Sequence, residues 1–301
     1  MRLALPDLIS NSYFPAVAAI ELGFFAEEGL DVELEVIFPV DKAYAALRDG
    51  QVDLVAGAAH AALAAFPSFE GVKLLCAQAQ GMYWFLVMRK ELGARRGELD
   101  VVKGRSIGAA PWVEMGLRRL LVEAGFDLSR DGIRIAPVAP PSGAGINFGL
   151  AAAQALEERR IDGFWANGIG AEIAVTRRVG TVVIDARRGD GPTSAFHYTF
   201  ASIAGREEWI LEERGRAAAL VRAISKAHGA LKRDVSLAAQ VGRRLFPRAE
   251  AELIATVVGR DLPYYDVSIS RPAIRGLKRF ARDLGILKHD IHDENVLIGP
   301  K

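Results

Sequence analysis

The 301-residue chain holds a single cysteine, Cys76, so no disulfide can close within it and cysteine content says nothing of the redox compartment. Set in the apolar run Val72 to Ala77, Cys76 reads as a small buried hydrophobe rather than a nucleophile. Charge of one sign is lacking too. Lys and Arg number 38 against 37 Asp and Glu, a net charge of +1, so nothing suggests the basic face a nucleic acid requires. The arginine pairs 95–96, 118–119, 159–160, 177–178, 187–188 and 243–244 are scattered and read as solvated helix ends and loops. No run approaches the roughly 20 apolar residues of a membrane-spanning helix. There is no G-x-S-x-G elbow, no Walker A loop and no dinucleotide fingerprint; Gly143-Ala144-Gly145 lacks the strand-then-helix context. Of the five histidines, His289 and His292 stand three apart beside Asp290 and Asp293, but in a polar tail that reads as solvated surface. Neither a metal nor a cofactor is expected. Met1 to Asp7 has no charged segment followed by a long apolar stretch.

What is present is apolar mass in short pieces. Hydrophobic residues make up 50% and charged residues 25%, enough for a sizeable core and for two domains. Short strand-like runs (Leu3–Ile9, Val32–Phe38, Val52–Val55, Val72–Ala77) alternate with helical patterns over Tyr13–Leu22, Lys42–Arg48 with Asp41 as N-cap, and Ala58–Phe66. Such units predict a mostly parallel sheet. The apolar run Tyr83–Arg89 precedes a polar stretch, Lys90–Lys103, read as the first crossing between lobes. A second α/β set follows, with strands Ser106–Ala109, Ile133–Val138, Asp162–Ala166 and Val182–Asp185, and helices Val113–Ala124, Phe148–Arg159 and Ile169–Arg178. A Pro- and Gly-rich loop, 139–147, interrupts it. Strand-like Phe196–Ile203 reads as the return, and Glu207–Leu284 as nearly all helix. The expectation is an α/β protein of two lobes, 1–86 with 198–301 and 87–197. Two hinge strands would join them about a central ligand cleft, an arrangement that permits closure.

Tyr13-Phe14-Pro15-Ala16, followed by the stretch from Glu21 through Gly29-Leu30-Asp31-Val32, resembles the sulfonate-, nitrate- and taurine-binding proteins. Their superfamily also includes proteins for thiamine-pyrimidine precursors. Asp49-Gly50-Gln51-Val52-Asp53 with Gly57-Ala58, Lys103-Gly104-Arg105-Ser106-Ile107-Gly108, and Ala155-Leu156-Glu157 through Trp165 extend the likeness over about residues 3–235. The resemblance implies the type II periplasmic-binding fold and delivery of a small molecule to the membrane permease of an ABC transporter. It also implies a place at the periplasm or cell surface; a monomer is the expectation. Family members normally carry a signal or lipoprotein segment; without one, a cytoplasmic location is the other expectation. The cysteine-rich motif of the eukaryotic pyrimidine-precursor synthase is absent.

Ligands of open α/β sheets sit outside the carboxyl ends of the strands. That rule selects Asn11, Ser12, Tyr13 and Phe14 after the first strand, and Gly57, Ala58, Ala59 and His60 after Val52–Val55. It further selects Pro111, Trp112 and Glu114 after Ser106–Ala109, and Asn167, with Trp165 at its strand's end. Tyr83 and Trp84 stand at the first crossing, His197 and Tyr198 at the return. Several of these loops open helices, whose N-termini favour anions. Aromatics are only 8% of the chain, so their gathering here points to a planar or aromatic, anionic organic compound. Each residue has a plainer role open to it: Phe14 as core, Trp84 packed beneath a hinge, His60 and Glu114 as helix-end residues. A solute-binding protein is the leading expectation. The alternative is a cytosolic enzyme on the same scaffold, a decarboxylase, hydrolase or precursor-processing enzyme, with His60 and Glu114 as an acid–base pair.

Overall fold

The computed structural model describes residues 1–138 and 147–297. Most of the Pro- and Gly-rich loop, including Gly143-Ala144-Gly145, lies outside them. The chain forms two compact units: Met1–Gly81 with His197–Lys301, and Met82–Phe196.

From the N-terminus run β1 (Arg2–Leu5), α1 (Phe14–Glu21), α2 (Phe24–Glu27), β2 (Glu33–Val36), α3 (Val40–Arg48), β3 (Leu54–Ala58), a 3-10 helix (Ala59–Ala64) and β4 (Val72–Ala79). The second unit contains β5 (Phe85–Arg89), β6 (Ser106–Ala109), α4 (Glu114–Glu123), β7 (Arg134–Ala136), α5 (Phe148–Glu157), β8 (Gly163–Ala166), α6 (Gly168–Thr176) and β9 (Gly180–Asp185). The chain returns through β10 (Ala201–Arg206) and ends in α7 (Glu207–Glu212), α8 (Arg214–Arg233), α9 (Ser236–Leu245), α10 (Arg248–Asp261), α11 (Arg271–Asp283) and α12 (Asp293–Val296).

Both sheets have five strands in equivalent order, β2-β1-β3-β10-β4 and β7-β6-β8-β5-β9. In each, the strand that enters from the other unit is the reversed one. β10 runs antiparallel to β3 and β4, and β5 antiparallel to β8 and β9. The other pairs are parallel, as strand–helix–strand units require. The reversal has a consequence for the site. The residues that precede β10 and β5 lie at the same sheet edge as those that follow the parallel strands. Ala201 pairs with Ala58 and Ala79, and Phe85 with Ala166 and Asp185.

Several expectations are corrected. Lys90–Lys103 is no crossing: β5 is already bonded to β8 and β9 before it begins, so the stretch lies inside the second unit. It is polar because it is a solvent-facing loop, not because it links lobes. Asp41 is not the N-cap of α3. The cap is Pro39 in extended conformation, and Asp41 sits in the first turn, where the dipole favours it. β3 runs on through Ala58, and the expected helix after it is 3-10. β1 stops at Leu5, leaving Pro6 to Tyr13 as a loop ahead of α1.

Packing in the second unit depends on two glycines where α5 meets α6. A methyl on Gly170 would lie 2.8 Å from the Gly149 carbonyl oxygen, so the helices touch backbone to backbone. Asn147 and Asn167 cap these helices, taking the amides of Leu150 and of Ile169 and Gly170. In the first unit the edge of β4 meets the C-terminal segment: Leu74 bridges Leu297, and Lys73 Nζ donates to the carbonyls of Glu294 and Asn295, each at 2.9 Å.

Candidate functional site

In the first unit the carboxyl ends of β1 and β3 and the start of β10 gather a polar group. Ser10, Asn11, Ser12, His60 and Thr199 are all fully buried. Three of them are anchored. Asn11 Nδ2 donates to the Asp261 carboxylate at the end of α10, and the Tyr265 hydroxyl donates to the Asn11 carbonyl. His60 Nδ1 lies 3.0 Å from Thr199 Oγ1. Gln78 fixes the start of α1, its Oε1 accepting from the Ala16 amide at 3.2 Å while its Nε2 donates to the Ser202 carbonyl at 3.1 Å. The Oγ atoms of Ser10 and Ser12 have no hydrogen-bond partner among the described residues. A buried hydroxyl left so costs about 1–3 kcal/mol, a cost that a bound polar group removes.

The other expected residues of this unit are packed. Phe14 is buried in α1, edge-on to Phe246 at 6.3 Å. Tyr13 is buried ahead of that helix. Gly57 and Ala58 are strand residues of β3, and Gly57 faces α3, where a methyl would meet Tyr44 and Val40 at 3.2 Å. Ala59 opens the 3-10 helix. Tyr198 stacks on Phe280 at 4.8 Å and 13°, and His60 meets the same ring edge-on at 5.3 Å. His197 passes over Gly276 of α11, and burial holds its imidazole below the ordinary histidine pKa.

In the second unit the corresponding edge is aromatic and cationic. Tyr83 and Trp84 stand 4.8 Å apart, and Trp84 is 6.2 Å from Trp165. Trp84 and Trp165 are buried, and Gly116 of α4 makes room for the Trp84 ring. Trp165 Nε1 donates to the Val113 carbonyl at 3.1 Å, tying β8 to the entry of α4. Pro111, Trp112 and Glu114 line that entry, each half-buried. Trp112 sits at φ +68°, a left-handed conformation that costs a bulky residue about 1–3 kcal/mol. Asn167 is committed to capping α6.

Sequence reasoning missed Arg187. The sequence reads it with Arg188 as solvated, yet it is 3% exposed, with its guanidinium carbon 5.6 Å from the Tyr83 ring centroid. It follows β9 at the same edge; the strand-end rule applied to Val182–Asp185 selects the segment Ala186–Arg188 but not which arginine turns inward. Asp185 is buried beside it and paired with Arg188 at 2.8 Å. Ser10 escapes the same rule because the apolar run of the first strand extends through Ile9, whereas β1 ends at Leu5. Thr199, Asp261 and Tyr265 have no local signal.

Residues 10–234 match the NMT1/THI5-like family. The chain belongs to that family. Its fold is that of several solved proteins. A protein from Bordetella bronchiseptica RB50 superimposes with a TM-score of 0.76 at 20% identity, over 98% of this chain and 91% of that one. The alkanesulfonate-binding protein SsuA from Xanthomonas axonopodis pv. citri, bound to MOPS, gives 0.71 at 14% identity, covering 99% and 96%. The periplasmic nitrate-binding protein NrtA from Synechocystis PCC 6803 gives 0.66 at 13% identity, covering 95% and 81%. The fold is therefore that of the type II periplasmic-binding proteins, with two α/β lobes. No curated protein matches in sequence.

Proposed function

We propose that the protein is the solute-binding component of an ABC-type importer, working at the periplasm or cell surface. Its ligand is a small anionic organic compound with a planar part, which it passes to a membrane permease. The observation that carries this reading is Arg187. A guanidinium kept from water against an aromatic ring is suited to a carboxylate or sulfonate attached to a ring or flat chain. Membership of the NMT1/THI5-like family and the shared fold with a sulfonate- and a nitrate-binding protein support it. The aromatic group Tyr83, Trp84 and Trp165 favours an organic over an inorganic anion. In the first unit, the buried Ser10 and Ser12 hydroxyls, without hydrogen-bond partners among the described residues, are suited to a polar group.

The test is a thermal-shift screen of the purified protein against aromatic carboxylates, aromatic and aliphatic sulfonates, pyrimidines and nitrate, with each hit recovered for mass spectrometry. A ligand at about 100 times its Kd stabilises by roughly 2.7 kcal/mol. A shift with an aromatic acid recovered unchanged supports the reading. A shift with nitrate alone removes the planar-ligand claim, and a compound recovered chemically altered replaces the transport role with an enzymatic one.

A further inference from the structure

The second unit holds a cavity of about 800 Å³ far from the sheet edge just described, lined in part by Leu92, Leu99, Lys103, Arg105, Phe126 and Arg130. Arg105 immediately precedes β6, whereas Ala110 to Trp112 follow it. At about 3.3 Å per residue, a strand of this length separates the two ends by roughly 16 Å. The cavity is thus at the amino-terminal edge of the sheet, where the loop 92–101 and the end of α4 meet.

Three cations and three acids line it, but they are not paired one to one. Three acids share the wall, and each is engaged. Asp100 pairs with Lys103 at 2.6 Å, Asp131 takes the Asp127 amide at 2.9 Å and lies 3.8 Å from Arg130, and Glu98 takes the Arg95 amide at 2.8 Å. The carbonyls at the end of α4 are met as well, by the amides of Gly125 and Phe126. Arg105 differs. Its guanidinium makes no hydrogen bond or ion pair among the described residues, and its Nε is buried. Beside it Lys103 lies over the Phe126 ring at 5.3 Å, so the wall offers a cation next to an aromatic face.

We propose that this cavity is a second binding site, for a small oxyanion seated on Arg105. The anion is a phosphate, or the carboxylate of a compound whose apolar flank rests on Phe126 and Leu99. Charge-assisted bonds from a guanidinium are the strong class of hydrogen bond, and a planar fork matches two oxygens at once. A buried Nε–H without an acceptor is the group that such an anion satisfies. The site is separate from the strand-end residues of the proposed solute site and does not depend on that assignment.

The experiment is an NMR titration of the full chain, following the side-chain Nε–H resonance of Arg105 and the backbone amide of Phe126. Inorganic phosphate is used in one arm and citrate in the other. The expected result is a saturable shift of both signals in at least one arm, phosphate alone or citrate alone fixing the class. In R105Q the Phe126 response should weaken by about tenfold or more, equivalent to roughly 1.4 kcal/mol. R187Q should leave it unchanged. No saturable movement of the Arg105 signal in either arm overturns the proposal, as does an undiminished Phe126 response in R105Q. Should R105Q fail to fold, the wild-type Arg105 resonance alone decides.

Discussion

The carboxylate of Asp261, at the last turn of α10, accepts a hydrogen bond from the side chain of Asn11, in the loop after β1. The two are 250 residues apart in sequence and both are buried. Tyr265 holds the backbone of the same residue. The C-terminal helices, beyond the residues that match the family, thereby position the first strand-end loop. Replacing Asp261 with Asn keeps the shape and removes the charge, leaving two amides face to face. Stability should fall by about 1–3 kcal/mol in urea unfolding, and amide exchange in residues 10–13 should quicken while β3 stays protected. Equal exchange in that loop would show that it is held by other contacts.

His228 gives the fold a pH dependence. Burial lowers its pKa to about 4, against the partial restoring effect of its 2.8 Å bond to the Gln78 carbonyl, and its ring stacks on Tyr265. In the unfolded chain the same group titrates near the ordinary value of about 6.5. The unfolded state therefore binds the extra proton first as pH falls. The contribution is complete above about pH 6.5, is lost progressively toward about pH 4 and then levels off, and is worth at most roughly 3 kcal/mol. Chemical denaturation at stepped pH should show this decline. H228Q should flatten the part between those limits, and an unchanged slope would place the pH dependence on other groups.

Much of this architecture is readable from periodicity. The order of strands and helices and the loops after β3, β6 and β8 follow from short apolar runs and the glycines and asparagines that bound them. Tertiary facts defeat that reading. Lys90–Lys103 looks like a linker because an exposed loop and an interdomain segment have the same polar composition. Arg187 looks solvated because an Arg-Arg pair carries no sign of which member turns inward; only the sheet edge, with Tyr83 arriving from the antiparallel β5, shows it. Asp261 ends α10 and Tyr265 follows the short 3-10 turn after it; nothing in that local sequence points to Asn11, so their contact is invisible without the fold.

The contact of α5 with α6 leaves no space for a side chain. G170A would bring a methyl against the Gly149 carbonyl oxygen, a backbone atom that cannot swing aside. Although alanine favours a helix interior by up to about 1 kcal/mol, the clash should prevail and destabilise the protein by about 1–3 kcal/mol. Calorimetry of G170A beside G215A, where nothing lies within 4 Å of the added methyl, separates the two terms. If both variants gain stability, the helices can move apart at no cost.

Trp112 tests whether strain at the head of α4 serves a ligand. Its φ of +68° is one a glycine adopts freely and any other residue adopts at a cost. If the backbone is bent to present the indole, removing the indole should lose binding whichever small residue replaces it. W112A and W112G should then both lose affinity, for the compound found by the thermal-shift screen, by at least about tenfold, consistent with losing an aromatic anchor. Their stabilities should differ, because alanine keeps the strain and glycine relieves it, leaving W112G about 1 kcal/mol the more stable. Titration calorimetry and unfolding on the two variants give four numbers. Equal affinity in wild type and both variants would remove Trp112 from the site and leave its conformation a matter of packing alone. Lost affinity with the stability order reversed would mean that the bend is imposed by the chain around it, not held for the indole.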